Sequence, residues 1–139
     1  MHQRCIMKRQ LRRIAGAQTL LSASMLVVAG WAVAASAEEL VSYKLDVKPI
    51  LQNRCVECHE PGGQGYEASG LDLTSYEGLM KGTKYGPVIV SGDPLTSNLL
   101  VLVEGRASPQ LRMPHGHRPL LKLQTEIIRA WIKQGAKDN

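Results

Sequence analysis

Cys55-Val56-Glu57-Cys58-His59 is the stretch on which the reading of this chain turns. Two thiols three positions apart fall on one face if the segment is helical, and the residue after the second carries an imidazole. Such a trio suits a flat macrocycle. Two sulfurs can add to the two vinyl groups along one porphyrin edge, and the adjacent imidazole can turn under the ring to bind its iron. Chance would produce the pattern in about two in a thousand chains of this composition. The motif points to a single covalently attached haem, with Cys55 and Cys58 as the thioether positions and His59 as the proximal ligand.

Two other chemistries use the same spacing. A thiol–disulfide module would need a βαβ framework around Cys55 and Cys58, and no such alternation is legible. A zinc site would need further ligands, for which only His115 and His117 are available as a distant pair. The aromatic-poor composition, with no Phe in 139 residues, favours haem. A porphyrin would supply the large rigid apolar body that aromatic side chains supply elsewhere.

Upstream of the motif the chain divides. Arg4, Lys8, Arg9, Arg12 and Arg13 precede an uncharged run from Ile14 to Ala37 that ends in Ala35-Ser36-Ala37. A basic start, an apolar stretch and small residues at the cleavage positions form a Sec-type signal peptide, residues 1–37, cut before Glu38. An uncleaved anchor is the alternative, because 24 uncharged residues could span a bilayer. Either way residues 38–139 would be exported to the periplasm or its equivalent, where both thiols must be kept reduced for attachment. With the leader set aside, 12 basic residues face 12 acidic ones, so the net charge of +5 belongs to the leader. A formally neutral domain argues against nucleic-acid binding, and nothing in it calls for a membrane unless the leader is retained.

Around the motif, apolar spacing predicts an all-α domain of four short helices joined by long loops. Leu45, Val47, Ile50 and Leu51 suggest a helix from about Asp46 to Cys55, with Pro49 in its first turn. Pro61-Gly62-Gly63-Gln64-Gly65 reads as a loop running to about Gly70. Thr74-Ser75-Tyr76-Glu77 has capping-box form and opens a helix through Met80, closed by Gly82. Gly86 to Pro94 is an extended piece between turns, after which Ser97 caps a helix over Asn98–Val103. Glu104 to Pro119 is a loop of a length usually reserved for function. Leu120, Leu123, Ile127, Ile128 and Trp131 mark the inner face of a last helix that Gly135 closes.

The second axial position decides what the iron can do. Met80 and Met113 are the thioethers outside the leader; Met80 lies at a helix end and reads as core, whereas Met113 sits in the long loop beside Pro114. A loop methionine can arch over the far face of a haem whose near face is held by the first helix. His115 and His117 are rivals for the position.

Val47-Lys48-Pro49-Ile50-Leu51, the Cys55–His59 motif, Gly70-Leu71-Asp72-Leu73, Gly92-Asp93-Pro94, Arg112-Met113-Pro114 and Ile127-Ile128-Arg129-Ala130-Trp131-Ile132 together resemble the planctomycete-type cytochrome c module, within the broader class I cytochrome c fold. The resemblance covers nearly all of 45–136. It implies a cytochrome c-like fold around one covalent haem c, thioethers at Cys55 and Cys58, axial ligands His59 and Met113, and a crossing of first and last helices near Trp131. Two departures stand out: Glu60-Pro61 follows His59 where the family commonly has Gly, and His115 stands where a second Pro is frequent. With both axial positions filled, the expected role is one-electron transfer between a donor and an acceptor protein rather than catalysis, with docking at local patches such as Arg106, Arg112 and Arg118. A haem sensor or peroxidase-like protein with an open distal position is the alternative.

Overall fold

The computed structural model describes residues 38–139. The signal-peptide reading of residues 1–37 lies outside the described residues. The described chain is all-α, with short helices, loops and a single isolated bridge between Thr83 and Gly86. Among the described residues no helix is long and apolar enough to cross a membrane.

The first helix begins earlier than the apolar spacing suggests. A π-helical turn, Tyr43–Val47, leads directly into α1, Lys48–Arg54. Ser42 starts it: its Oγ accepts the Leu45 N–H at 3.2 Å, and its own N–H donates to Asp46 Oδ2 at 2.8 Å. This reciprocal pair satisfies two donors that a helix start leaves free. The wide turn suits Pro49, which has no N–H and whose ring would crowd a carbonyl four residues back in a continuous α-helix. Donors of the first turn are also met by the end of the chain, since Tyr43 N–H donates to Asn139 Oδ1 at 2.8 Å and Lys44 N–H to Asn139 O at 3.0 Å.

Four further α-helices follow where four in all were expected. The additional one, α2 (Gln64–Ser69), occupies the stretch read as a loop, closed by Gly70 in the left-handed region at φ 75°. Its glycines signal a close approach between backbones rather than a chain break. Helix α3 (Tyr76–Lys81) forms where the Thr74–Glu77 box places it, but the cap is one residue later: Ser75 Oγ accepts the Gly78 N–H at 3.0 Å, while Thr74 Oγ1 donates to Asp72 Oδ1 at 2.6 Å. Helix α4 (Asn98–Val103) has the expected bounds, but Ser97 does not cap it with its side chain. The buried Ser97 hydroxyl instead turns back, accepting from Val90 N–H at 2.9 Å and donating to Asp93 O at 2.8 Å, which pins the extended 88–96 segment to the helix start.

The last helix, α5 (Lys122–Lys133), is the longest, and it ends in a Schellman turn. Gly135 N–H bonds Ile132 O at 3.0 Å and Ala136 N–H bonds Trp131 O at 2.9 Å, a geometry made possible by the positive φ of Gly135. Its inner face is Ile128, Trp131 and Ile132, all buried; Leu123, placed on that face by spacing, is 71% exposed. The helix begins only at Lys122, so Leu120 reaches the core from the preceding loop and the first turn points Leu123 outward. α5 packs on α4 and on the π-helical turn. At that crossing the Tyr43 ring lies 5.5 Å from Trp131 and 5.1 Å, edge-on, from Tyr76. The π-helical turn that precedes α1 thus meets α5 near Trp131, with a three-ring cluster at the crossing.

Candidate haem site

The Cys55–His59 motif is a compact turn beyond α1 rather than the helix's own last turn. Cys55 leaves helical geometry at φ −136°, and Cys55 and Val56 both donate to Leu51 O, at 2.8 and 3.0 Å. His59 N–H then donates to Cys55 O at 3.0 Å and Val56 O at 2.9 Å, so one helix-like turn survives inside the motif. That turn keeps the expected one-sidedness: Cys55, Cys58 and His59 all line the same cavity. The two cysteines are free thiols.

Two neighbouring segments hold the motif in place. Tyr66 N–H of α2 donates to Cys58 O at 3.0 Å, and Leu73 N–H donates to His59 O at 2.8 Å. The close packing of α2 explains its glycines. A Cβ on Gly65 would lie 2.7 Å from His59 Cε1, 2.8 Å from His59 Nε2 and 2.9 Å from Cys58 O, and one on Gly63 would also strike the Cys58 carbonyl. Gly65 is thus a positioning residue that sequence reasoning missed. Its only signal is a glycine inside a short stretch that otherwise has helical composition.

The cavity has a volume of about 670 Å³, inside the range of roughly 300–1,000 Å³ typical of sites that enclose a ligand. Leu51, Leu71, Val88, Leu99, Leu120 and Ile128 give it apolar walls. Met113 reaches the wall from the long loop, where its N–H donates to Leu102 O at 3.2 Å. Met80 does not line the cavity and packs partly buried against the core, as its helical position suggested. His115 and His117 lie on the same wall as Met113. The loop that carries all three is tied to α1 by Arg54, whose guanidinium donates to Arg118 O at 2.6 Å and more weakly to Pro119 O at 3.4 Å. Arg54 itself lines the cavity and was not singled out from sequence.

The docking cations named from sequence separate. Arg106 is held by Glu104 at 2.6 Å and by the carbonyls of Leu95 and Pro94 at 2.8 and 3.2 Å, and Glu104 also pairs with Arg129 of α5. Arg106 therefore braces the start of the loop and is not free to receive a partner. Arg118 stands on the cavity wall, and Arg112 lies over Gly105.

Burial sets the electrostatics of the motif. It pushes the Cys55 thiol up to about 11, with Arg54 opposing and Cys58 adding slightly. A redox dithiol needs the reverse, a thiolate stabilised near neutral pH. With no sheet framework among the described residues either, the thiol–disulfide reading loses its support. Burial also lowers the His59 pKa, opposed by the nearby Leu71 backbone, while buried Nδ1 completes no hydrogen bond. A neutral imidazole with an unspent nitrogen, two thiols and a thioether around an apolar cavity fit a haem. Among the described residues no three His, Cys, Asp or Glu side chains gather closely enough to hold a bare metal ion, so the zinc reading gains no support.

Residues 55–115 match the family described as Planctomycete cytochrome C; the match starts at the first cysteine of the motif and ends two residues past Met113. No curated protein and no solved structure matches the chain. The segment from Cys55 to His115, with its motif, its apolar cavity and its Met-Pro loop, is a planctomycete-type cytochrome c module, which supports reading the chain as a c-type cytochrome and implies covalently bound haem c.

Proposed function

We propose that residues 38–139 form an exported monohaem cytochrome that passes single electrons between protein partners, its iron held by His59 and Met113. One observation carries the reading: Cys55, Cys58, His59 and Met113, 58 positions apart at the extremes, converge on one apolar cavity. The haem supplies a one-electron couple. Cys55 and Cys58 would fix it by thioether bonds, which leaves no free thiol in the domain. His59, wedged against Gly65 and held by its backbone bonds to Cys55, Val56 and Leu73, presents a neutral imidazole in a fixed direction. Met113 brings a soft thioether that favours the reduced state relative to a second imidazole. The apolar walls exclude water, so the charge change takes place in a medium that needs little reorganisation. The leader of residues 1–37 would deliver the chain to the compartment where attachment takes place.

His115 and His117, which also line the cavity, support a second reading, in which the distal position is open and the protein senses a ligand or reacts with peroxide. One experiment separates the two. The protein is produced in a host competent for haem attachment, and its mass and visible spectrum are recorded for wild type and Met113→Ala. The proposal requires a mass increase of one haem and a weak far-red ferric band that the substitution abolishes. High-spin ferric iron and peroxide turnover in the wild type would establish the second reading instead, and a colourless folded protein would end both.

A further inference from the structure

The balanced charge of residues 38–139 hides a division. From Cys55 to Met80 the chain carries Glu57, Glu60, Glu67, Asp72 and Glu77 with no Lys or Arg, and from Gly105 to Thr125 it carries Arg106, Arg112, Arg118 and Lys122 with no acid. The acidic stretch contributes Glu57 beside His59 to the cavity lining, next to Arg54, and the basic stretch contributes Arg118 beside Met113. Arg106 is used internally, but Arg112, Arg118 and Lys122 form no ion pair among the described residues. Exposed His115 and His117 stand between them at the cavity rim.

The same stretch is unusually apolar for a surface. Leu111, Leu121 and Leu123 are 55%, 66% and 71% exposed, three of the eight large exposed hydrophobics among the described residues, within 13 positions. Exposed leucines among unpaired cations match the composition of a small transient interface, apolar at the centre and charged at the rim. Three of the four basic residues of the stretch are arginines, whose planar fork suits carboxylates.

We propose that the face built from Leu111 to Leu123, with Arg112, Arg118 and Lys122 around its exposed leucines, is the docking surface for a redox protein whose own surface is rich in carboxylates. The inference rests on the electron-carrier reading and adds to it the side of approach and the chemistry of the partner. The acidic His59 side repels such a partner and the basic Met113 side attracts it, so the domain is oriented before contact although its total charge is zero.

The test uses the haem-loaded ferrous protein in stopped flow against two small oxidants. One electron leaves the protein and reduces either anionic ferricyanide to ferrocyanide or cationic tris(phenanthroline)cobalt(III) to its cobalt(II) form. The expected result is a ferricyanide rate that falls by about tenfold from low to high salt, within the range of electrostatic steering, while the cobalt rate does not fall. Poly-L-glutamate should compete with ferricyanide in the wild type. The triple variant Arg112→Glu, Arg118→Glu, Lys122→Glu should reverse the salt response and lose the competition, whereas Lys81→Glu should change neither. Equal salt responses for the two oxidants, or a triple variant that behaves as wild type, would overturn the proposal while leaving the carrier reading intact. Tighter capture by phosphatidylglycerol vesicles than by poly-L-glutamate would assign the face to a membrane, and concentration-dependent dimerisation in sedimentation would assign it to a second copy; either overturns it. A haem-loaded protein that gives no electron to either oxidant would instead refute the carrier reading itself.

Discussion

Gly65→Ala tests whether α2 truly fixes the His59 imidazole. Helix propensity alone favours alanine by about 1 kcal/mol inside a helix. The surroundings say the opposite. The added methyl would sit 2.7–2.9 Å from His59 Cε1, His59 Nε2 and Cys58 O, against about 3.5–4.0 Å for an unstrained contact. About 1 Å of movement is needed. The ring cannot easily supply it, because His59 N–H makes two backbone bonds and His59 O accepts from Leu73. Overpacking of this kind costs roughly 1–3 kcal/mol, so after the propensity gain a net loss of up to about 2 kcal/mol remains. For a domain of this size that is a fall in Tm of up to about 15 °C. Calorimetry of the haem-loaded protein reads the melting temperature, and the ferric far-red band reads the axial ligand field. Both should shift. Glu67→Ala, on the exposed side of the same helix, should stay within about 0.5 kcal/mol of wild type. If Gly65→Ala melts at or above the wild-type temperature with an unaltered spectrum, the wedge between α2 and His59 does not exist and the positioning argument fails.

Other consequences are equally concrete. The Tyr43 hydroxyl is buried without a hydrogen-bond partner, so Tyr43→Phe should leave stability unchanged or raise it by about 1 kcal/mol, read as the denaturation midpoint; a loss above 1 kcal/mol would reveal a partner for the hydroxyl. Burial, then Asp138, Glu77 and Tyr76, push this phenol from 10.0 up to about 12. The folded state therefore holds the proton more tightly than the unfolded one, and its contribution is complete below pH 10 and lost as pH rises towards about 12. A pH series of midpoints should show that alkaline decline shrinking in Tyr43→Phe. Ser97→Ala removes the buried hydroxyl that accepts from Val90 N–H and reinforces the Ser97 N–H bond to Asp93 O, and should cost about 1 kcal/mol in the same assay, with neutral behaviour counting against the clamp. Arg54→Ala removes the tether between α1 and the Met113 loop, so limited proteolysis should cut between Arg106 and Arg118 several-fold faster, and unchanged cutting would show that other contacts hold the loop.

What could be read from sequence was whatever rests on local rules or on chemistry with a fixed spacing. The cap signal in Thr74-Ser75-Tyr76-Glu77, Gly82 after Lys81 and the apolar stripe of Ile128 and Trp131 announced α3 and α5 because caps and periodicity act within a few residues. The five-residue motif announced its cofactor because the two sulfurs and the imidazole must serve one porphyrin. What was lost depends on contacts made far away in sequence. Gly63 and Gly65 looked like chain breakers, yet they let a helix press against the Cys58 carbonyl and the His59 ring, and only the folded neighbour reveals why a side chain is forbidden there. Ser97 looked like a cap because its position is right, but its hydroxyl is itself buried and bonds the Val90 and Asp93 backbone groups beside it, since a buried hydroxyl left unsatisfied is costlier than a solvent-accessible helix end. Arg106 looked free until Glu104, itself shared with Arg129, was placed beside it.

The same logic explains why so thin a protein core can be arranged around a site. Outside the cavity the structure concentrates its large side chains at one crossing, where Tyr43, Tyr76 and Trp131 meet and the Ala136 and Lys137 carbonyls accept from Tyr76 Oη and Trp131 Nε1 at 2.8 and 2.9 Å. That crossing fixes the π-helical turn on α5, and through α1 it sets where the chain must turn into Cys55. On the other side of the cavity the apolar contacts come from Leu71, Val88, Leu99 and Leu120, each supplied by a loop or a helix start rather than by a long helix. Segments of that kind have little to hold them when the apolar space between them is filled by water. A rigid group bonded to Cys55 and Cys58 gives all of them one common surface, so the haem-loaded protein should exceed its haem-free counterpart in amide-exchange protection most strongly at 71–73, 88–90 and 113–120, and least at the Tyr43–Trp131 crossing. Uniform protection across both regions would mean that the crossing depends on the cofactor as much as the loops do, and that the division between a self-sufficient corner and a cofactor-built one is mistaken.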